Sequence, residues 1–66
     1  MFRKPIDSSM MKSLGYNPLT GDLEVEFTTG KVVTYEQVSQ EEFKDLELAE
    51  SKGRYLNAVI KRHPFK

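Results

Sequence analysis

A chain of 66 residues, of which 38% are hydrophobic and 30% charged, predicts a single folded domain over residues 1–66 and excludes a disordered chain. It has no cysteine, one histidine and no apolar run of membrane-helix or signal-peptide length, so we expect a cytoplasmic domain without membrane, metal or other cofactor. The net charge is zero, yet residues 21–50 hold nine carboxylates against two lysines, whereas residues 51–66 hold five basic residues and no acid.

The first half of the chain predicts a three-stranded antiparallel meander over about residues 9–36. Residues 8–16 are moderately strand-like, and Leu23, Val25 and Phe27 alternate with polar residues, which is the period of a strand with one buried face. The turn sequence NPLTGD precedes this strand, and TTGK separates it from a β-branched and aromatic segment, residues 32–35.

The second half predicts two helices packed on one face of the sheet, which makes the fold α+β. Ser39, followed three residues later by Glu42, predicts a capping box that begins the first helix. The second helix is expected to begin near Ser51 or Gly53 and to end before Pro64. The predicted core consists of Leu23, Val25, Phe27, Phe43, Leu46, Leu56, Val59 and Ile60.

These residues, taken in order, resemble the KTSC domain, a family named for the C-terminus of some lysyl-tRNA synthetases and found also as small proteins of bacteria and their phages. The resemblance covers about residues 6–62. It runs through Ser8-Ser9, Gly15-Tyr16, Leu23, Val25, Phe27, Gly30, Tyr35, Val38, Ala49, Ser51, Gly53, Tyr55, Asn57 and Ile60. The Tyr-any-Tyr motif of the family reads Val33-Thr34-Tyr35, so this chain has only the second tyrosine. The resemblance implies an RNA-binding role and little chemistry.

The segment ESKGR, residues 50–54, is the first candidate site. A helix N-terminus attracts anions, so Ser51 and Gly53, flanked by Lys52 and Arg54, would suit a phosphate. The structural alternative is that Ser51 caps the second helix, or that Gly53 closes the first in a left-handed conformation. We favour the structural alternative because the longer glycine-rich loop of a phosphate cradle is missing.

The basic C-terminal segment is the second candidate site. The candidate RNA contacts are Tyr16, Tyr35 and Tyr55 for stacking bases, with Ser51, Gly53 and Asn57 beside them, and for phosphates the basic residues Lys52, Arg54, Lys61, Arg62, His63 and Lys66. The same charges would suit a solvated helix face, or could pair with the acidic segment within one molecule or between copies in a homo-oligomer. For Tyr35 and Tyr55 the structural interpretation is that their rings cover the core while their hydroxyls reach polar partners, and for Asn57 that it caps a loop or bonds a strand end.

Together these features predict a small, non-catalytic binding module that contacts RNA. Catalysis is not expected, because the serines have no matched base at a readable spacing and the acidic pair Glu41-Glu42 is explained by capping. Two alternatives remain open. One is a protein-interaction or self-assembly module, and the other is a bacterial or phage protein that sequesters a small nucleotide in a cleft near Ser51 and Tyr35.

Overall fold

The computed structural model describes residues 3–6 and 8–66. Within these residues, one antiparallel sheet contains the strands β1 (Lys4–Pro5), β2 (Met11–Asn17), β3 (Asp22–Phe27) and β4 (Val32–Tyr35), in that order. Two helices follow, α1 (Gln40–Leu48) and α2 (Lys52–Ala58), and then a 3₁₀ turn, Ile60–Arg62. The predicted α+β fold is therefore confirmed, with β2, β3 and β4 as the meander. The short strand β1 is an addition that the sequence pattern did not predict.

The strand register places the apolar residues of the meander on the face that the helices cover. Residues paired across antiparallel strands point to the same side, and two rows share this side. The rows are Leu14–Val25–Val33 and Tyr16–Leu23–Tyr35. The opposite face is polar, because its rows contain Ser13 with Glu26 and Gly15 with Glu24. The sheet thus has one apolar side and one acidic side.

The core lies between the apolar face and the helices. Its buried hydrophobic residues are Met11, Leu14, Leu23, Val25, Val33, Tyr35, Val38, Leu46, Leu56 and Ile60. Five members of the predicted core are among them, and the other three, Phe27, Phe43 and Val59, are partly buried and pack against this cluster. The helices supply few buried residues, so most of the core comes from the sheet.

The capping box predicted for α1 is confirmed. The Ser39 hydroxyl accepts a hydrogen bond from the Glu42 N–H at 3.1 Å, and the Glu42 carboxylate accepts one from the Ser39 N–H at 3.0 Å. Two of the N–H groups that every helix start leaves unpaired are thereby satisfied. The capping box also holds the Glu42 side chain at the start of α1, where it contacts His63 near the end of the chain.

The end of the chain returns to the sheet beside β4. The Glu36 N–H donates to the Pro64 carbonyl at 2.7 Å, and the Lys66 N–H donates to the Thr34 carbonyl at 2.9 Å. Tyr35 and Phe65 form an antiparallel bridge between these bonds. We call residues 63–66 the C-terminal strap. Because Pro64 predicted only the end of a helix, this pairing was not expected from the sequence.

Gly21 lies where the β2–β3 turn meets the loop between β4 and α1. Its φ is +79°, a conformation that glycine adopts without steric cost. Its carbonyl accepts a hydrogen bond from the Val38 N–H at 2.8 Å. A Cβ atom on residue 21 would lie 3.3 Å from the Val38 carbonyl oxygen. Both the backbone conformation and the close approach therefore require glycine.

We predict that Gly21→Ala lowers the free energy of unfolding by more than about 1 kcal/mol, because alanine is strained at positive φ and its methyl group would press on Val38. Gly30→Ala is the matched control, since Gly30 also has a positive φ, of +94°, but no atom within 4 Å of an added Cβ. Urea unfolding of both variants should show the larger loss for Gly21→Ala. Equal losses would mean that the contact with Val38 contributes nothing.

Candidate functional site

A groove opens on the helix side of the sheet, between the β3–β4 hairpin and the C-terminal strap. It encloses about 360 Å³ and is lined by Phe27, Lys31, Val33, Tyr35, Lys61 and Phe65. Most of these side chains are apolar or aromatic, two are lysines, and none is a carboxylate. We call this feature the aromatic groove. A largely apolar cleft with a few polar groups is typical of a small-ligand site.

The β3–β4 hairpin forms one side of the aromatic groove. Phe27 ends β3, and Val33 and Tyr35 alternate along β4, so their side chains point toward the helices. Gly30 closes the turn by donating its N–H to the Phe27 carbonyl at 2.9 Å. The Phe27 N–H donates in turn to the Lys31 carbonyl at 2.8 Å, which holds Lys31 at the hairpin end of the groove.

The opposite side comes from the 3₁₀ turn and the C-terminal strap, which contribute Lys61 and Phe65. The ring of Phe65 is tilted by 55° to that of Tyr35, with the ring centroids 6.0 Å apart. Phe65 is 67% exposed and Tyr35 only 5% exposed. Phe65 is thus an outer wall of the groove, and Tyr35 belongs to its floor.

The hydroxyl group of Tyr35 makes no hydrogen bond with the described residues. In that part of the chain no polar side-chain atom is both fully buried and unpartnered, so this hydroxyl keeps some contact with solvent. Burial raises the pKa of Tyr35 above its ordinary value of 10.0, and the group is therefore a neutral hydrogen-bonding phenol at neutral pH.

The C-terminal strap is anchored to the start of α1 by a polar contact. The His63 Nε2 atom lies 2.8 Å from Oε2 of Glu42, whose other oxygen accepts from the Ser39 N–H. Burial alone would raise the pKa of Glu42, but hydrogen bonds from Ser39 and His63, and the charge of His63, hold it below its ordinary value. Farther along the strap, Lys66 lies 3.5 Å from Glu36.

The residues predicted to form a binding site are distributed over several surfaces. Tyr35 and Lys61 line the aromatic groove. A second cleft, of about 490 Å³, is lined by Ala49, Glu50, Ser51, Arg54, Tyr55 and Ala58. A third, of about 240 Å³, is lined by Ser8, Ser9, Glu50, Ser51, Lys52 and Gly53. Arg62 and Asn57 are exposed and line none of the three. Lys52, Arg54, Lys61 and Arg62 therefore do not share one cleft.

At ESKGR, the structural interpretation is confirmed for Ser51. Its hydroxyl accepts a hydrogen bond from the Arg54 N–H at 3.4 Å and caps α2. The alternative for Gly53 is wrong, because Gly53 lies inside α2 and is not among the glycines with positive φ. Lys52 donates to the Ala49 carbonyl at 3.4 Å, so its ammonium group already has a partner at the end of α1.

The other tyrosines have structural surroundings. Tyr16 stacks on Phe43, with ring centroids 4.6 Å apart, and its hydroxyl donates to the Val38 carbonyl. Tyr55 is partly buried against the core, as expected. The polar partners expected for the hydroxyls of Tyr35 and Tyr55 are wrong, because neither hydroxyl makes a hydrogen bond with the described residues. Asn57 is exposed and makes no side-chain hydrogen bond with the described residues, so the structural role expected of it is wrong.

Sequence reasoning missed Phe27, Lys31, Val33 and Phe65 as lining residues. The alternation along β3 and β4 could have shown that Phe27, Val33 and Tyr35 share a face. No local pattern marks Phe65, because its position depends on how the end of the chain returns. No three His, Asp or Glu side chains in the described ranges are arranged to hold a metal ion. No helix there is long and apolar enough to cross a membrane.

The family model of the KTSC domain matches residues 7–65 of the chain. The chain belongs to the KTSC domain family. The resemblance inferred from the ordered residues is thus confirmed, and the match extends to residue 65, so it includes Phe65 and most of the C-terminal strap.

Relatives of similar length align with most of the chain. A Tsukamurella paurometabola protein is 40% identical over 58 residues, which cover 88% of the chain and 87% of that protein. An uncharacterised protein of Stutzerimonas stutzeri is 44% identical over 61 residues, with coverage of 92% and 86%. The crystal structure of a KTSC domain protein from Yersinia pestis has a TM-score of 0.95 at 32% identity, covering 98% of this chain and 93% of that one.

We predict that Gly53→Ala stabilises this KTSC domain by about 0.5–1 kcal/mol, because glycine inside a helix costs that much relative to alanine. The added methyl group would lie 3.6 Å from the end of the Met10 side chain, an ordinary van der Waals distance. Thermal unfolding of the variant and the wild type gives the difference. A lower melting temperature for Gly53→Ala would show that the close packing of α2 on Met10 requires glycine.

We predict that Glu42→Gln lowers the free energy of unfolding at neutral pH and has a smaller effect in acid. A carboxyl group with a lowered folded-state pKa stabilises the fold above its ordinary pKa of 4.5, and this contribution fades as pH falls through the lower folded-state value. Urea unfolding as a function of pH should therefore show a difference in the free energy of unfolding between wild type and variant, and this difference should become smaller in acid. Glu41→Gln, one residue away and exposed, is the control and should show a smaller difference throughout.

Proposed function

We propose that this KTSC domain is a small, non-catalytic module that binds single-stranded RNA in the cytoplasm. The observation that carries the proposal is the position of Lys31 and Lys61 beside an aromatic groove that no carboxylate lines. Proteins that bind single strands combine cations for the phosphate backbone with aromatic rings for the bases. Such rings reach bases only where these are unpaired, which favours a single strand over a duplex.

The two faces of the sheet differ in a way that supports binding on the helix side. On the far face, the carboxylates of Glu24 and Glu26 lie in the middle of the sheet. They already have partners, since Arg3 is 3.2 Å from Glu24 and the Ser13 hydroxyl donates to Glu26 at 2.8 Å. Ser13 is uncharged, so these partners offset only one of the two negative charges, and the remaining charge repels phosphates. RNA should therefore approach from the groove side.

The cations near the aromatic groove are not neutralised within the fold. None of the carboxylates in the described ranges forms an ion pair with Lys31, Lys61 or Arg62. By contrast, His63 and Lys66 of the strap each face a glutamate. Among the described residues, the basic and acidic segments therefore pair inside the molecule only through the strap. The charges of Lys31, Lys61 and Arg62 stay available to an external anion such as a phosphate backbone.

A second candidate, the capture of a small nucleotide, is supported by the size of the aromatic groove. Its volume of about 360 Å³ lies near the lower end of the range of about 300–1,000 Å³ for small-ligand sites. Binding of a free nucleotide would use the same lysines and rings. It differs from RNA binding in having fewer phosphate contacts, and so a weaker dependence on salt.

We predict that Lys31→Glu and Lys61→Glu each weaken retention of a short single-stranded RNA. Each reversal should lower the slope of log affinity against log salt concentration by about 0.7 or more, since a single strand releases about that many counterions for each lost phosphate contact. Filter retention over a salt series measures both effects. Because both residues are exposed, their free energies of unfolding should stay within about 0.5 kcal/mol of wild type.

Lys44→Glu is the matched control, because Lys44 is exposed on α1 and lines none of the three clefts. It should reduce retention less than either groove variant. Arg54→Glu tests whether the cleft beside α2 contributes as well. Retention that is equal in every variant and insensitive to salt would overturn the RNA proposal and leave self-assembly as the leading alternative.

A further inference from the structure

The aromatic groove contains a feature that a purely electrostatic RNA contact does not need. Tyr35 is only 5% exposed, and buried tyrosines usually place their hydroxyl against a hydrogen-bond partner. Tyr16 does so through the Val38 carbonyl, whereas the Tyr35 hydroxyl has no such partner within the described chain. Since Tyr35 lines the groove and its hydroxyl keeps contact with solvent, this group is available to a ligand.

We propose that the aromatic groove seats one unpaired nucleobase, which stacks on Phe65 and receives or donates a hydrogen bond at the hydroxyl of Tyr35. The inference rests on the proposed function and extends it from backbone attraction to recognition of the base. Tyr35 then hydrogen-bonds with the polar edge of the base, and Phe65 provides the ring on which the base stacks.

The angle between the two rings assigns these roles. Because the rings of Tyr35 and Phe65 are tilted by 55°, a flat base cannot stack on both at once. Phe65 offers its ring to solvent, whereas the ring of Tyr35 is almost wholly covered. A base that stacks on Phe65 therefore directs an edge toward Tyr35, and the edges of bases carry their hydrogen-bond donors and acceptors.

The two lysines place the phosphates on either side of the seated base. Lys31 lies at the end of the hairpin, and Lys61 lies on the 3₁₀ turn across the groove. A nucleotide within a strand has one phosphate on each side of its sugar, which matches two separated cations. The groove volume of about 360 Å³ suits a ligand of about the size of one nucleotide unit. The shared chemistry is thus a nucleobase flanked by phosphate, whether it belongs to an RNA strand or to a free nucleotide.

The test compares binding of an adenosine RNA tetranucleotide with that of the same backbone lacking bases, measured by NMR titration at low salt. The wild-type domain should bind the abasic tetramer at least about fivefold more weakly, since stacking of a base on an aromatic side chain supplies that factor or more. Chemical-shift changes should centre on Val33 and Phe65. Adenosine monophosphate in a third arm distinguishes a free nucleotide, which would bind as tightly as the tetramer, from a strand.

Two variants test the assigned roles. Phe65→Ala, at an exposed position, should remove most of the difference between the tetramer and its abasic counterpart. Tyr35→Phe keeps the ring and removes the hydroxyl, and it should weaken tetramer binding about threefold while leaving abasic binding unchanged. Tyr55→Phe is the control, because it removes the hydroxyl of a tyrosine outside the groove. A circular-dichroism melt of each variant verifies its fold.

The outcomes separate this inference from the proposed function. If the abasic tetramer binds as tightly as the RNA, the domain binds backbone only, and base seating is wrong while RNA binding stands. If Tyr35→Phe and Tyr55→Phe behave alike, the hydroxyl does not recognise the base. If neither tetramer binds at low salt, the proposed function itself fails.

Discussion

The hydrogen bonds that join the C-terminal strap to β4 are the contacts on which the aromatic groove depends. The Glu36 and Lys66 N–H groups donate across this junction, and the bridge between Tyr35 and Phe65 lies between them. Without this pairing, Phe65 would have no fixed position and the groove would have one side only. His63 adds a side-chain contact with Glu42, so the strap is also linked to the capped start of α1. The same few polar contacts therefore stabilise the sheet and the start of α1 and also hold one side of the candidate site in place.

A domain of this size has a small core. The helix side of its sheet forms both this core and the aromatic groove. Toward the middle of that side, Leu23 and Val25 are fully buried beneath the helices. Toward the hairpin, the helices no longer cover the strands, and Phe27 and Lys31 border an open groove instead. The short α2 and the 3₁₀ turn after it set this boundary. The groove is thus the uncovered continuation of the core, which explains why its lining is largely apolar.

Local patterns predicted most of the fold, because strand alternation, turns and helix caps are recorded in neighbouring residues. The alternation of Leu23, Val25 and Phe27 and the caps at Ser39 and Ser51 all correspond to the structure. The site was predicted only in part. Basic residues were grouped by their nearness in sequence, whereas the fold places Lys61 beside Tyr35 and Arg54 in another cleft. Such groupings depend on contacts between distant segments, which no local rule contains.

The pairing of the C-terminal strap with β4 also determines how the sheet meets other proteins. An open strand edge exposes unpaired backbone groups and invites edge-to-edge aggregation. The strap occupies that edge on one side of the sheet, and on the other side β1 is only two residues long and contains Pro5, which has no N–H to offer. Each margin therefore offers fewer free backbone groups to an incoming strand. Pairing of copies through their strand edges is thereby made less favourable than contacts through side chains.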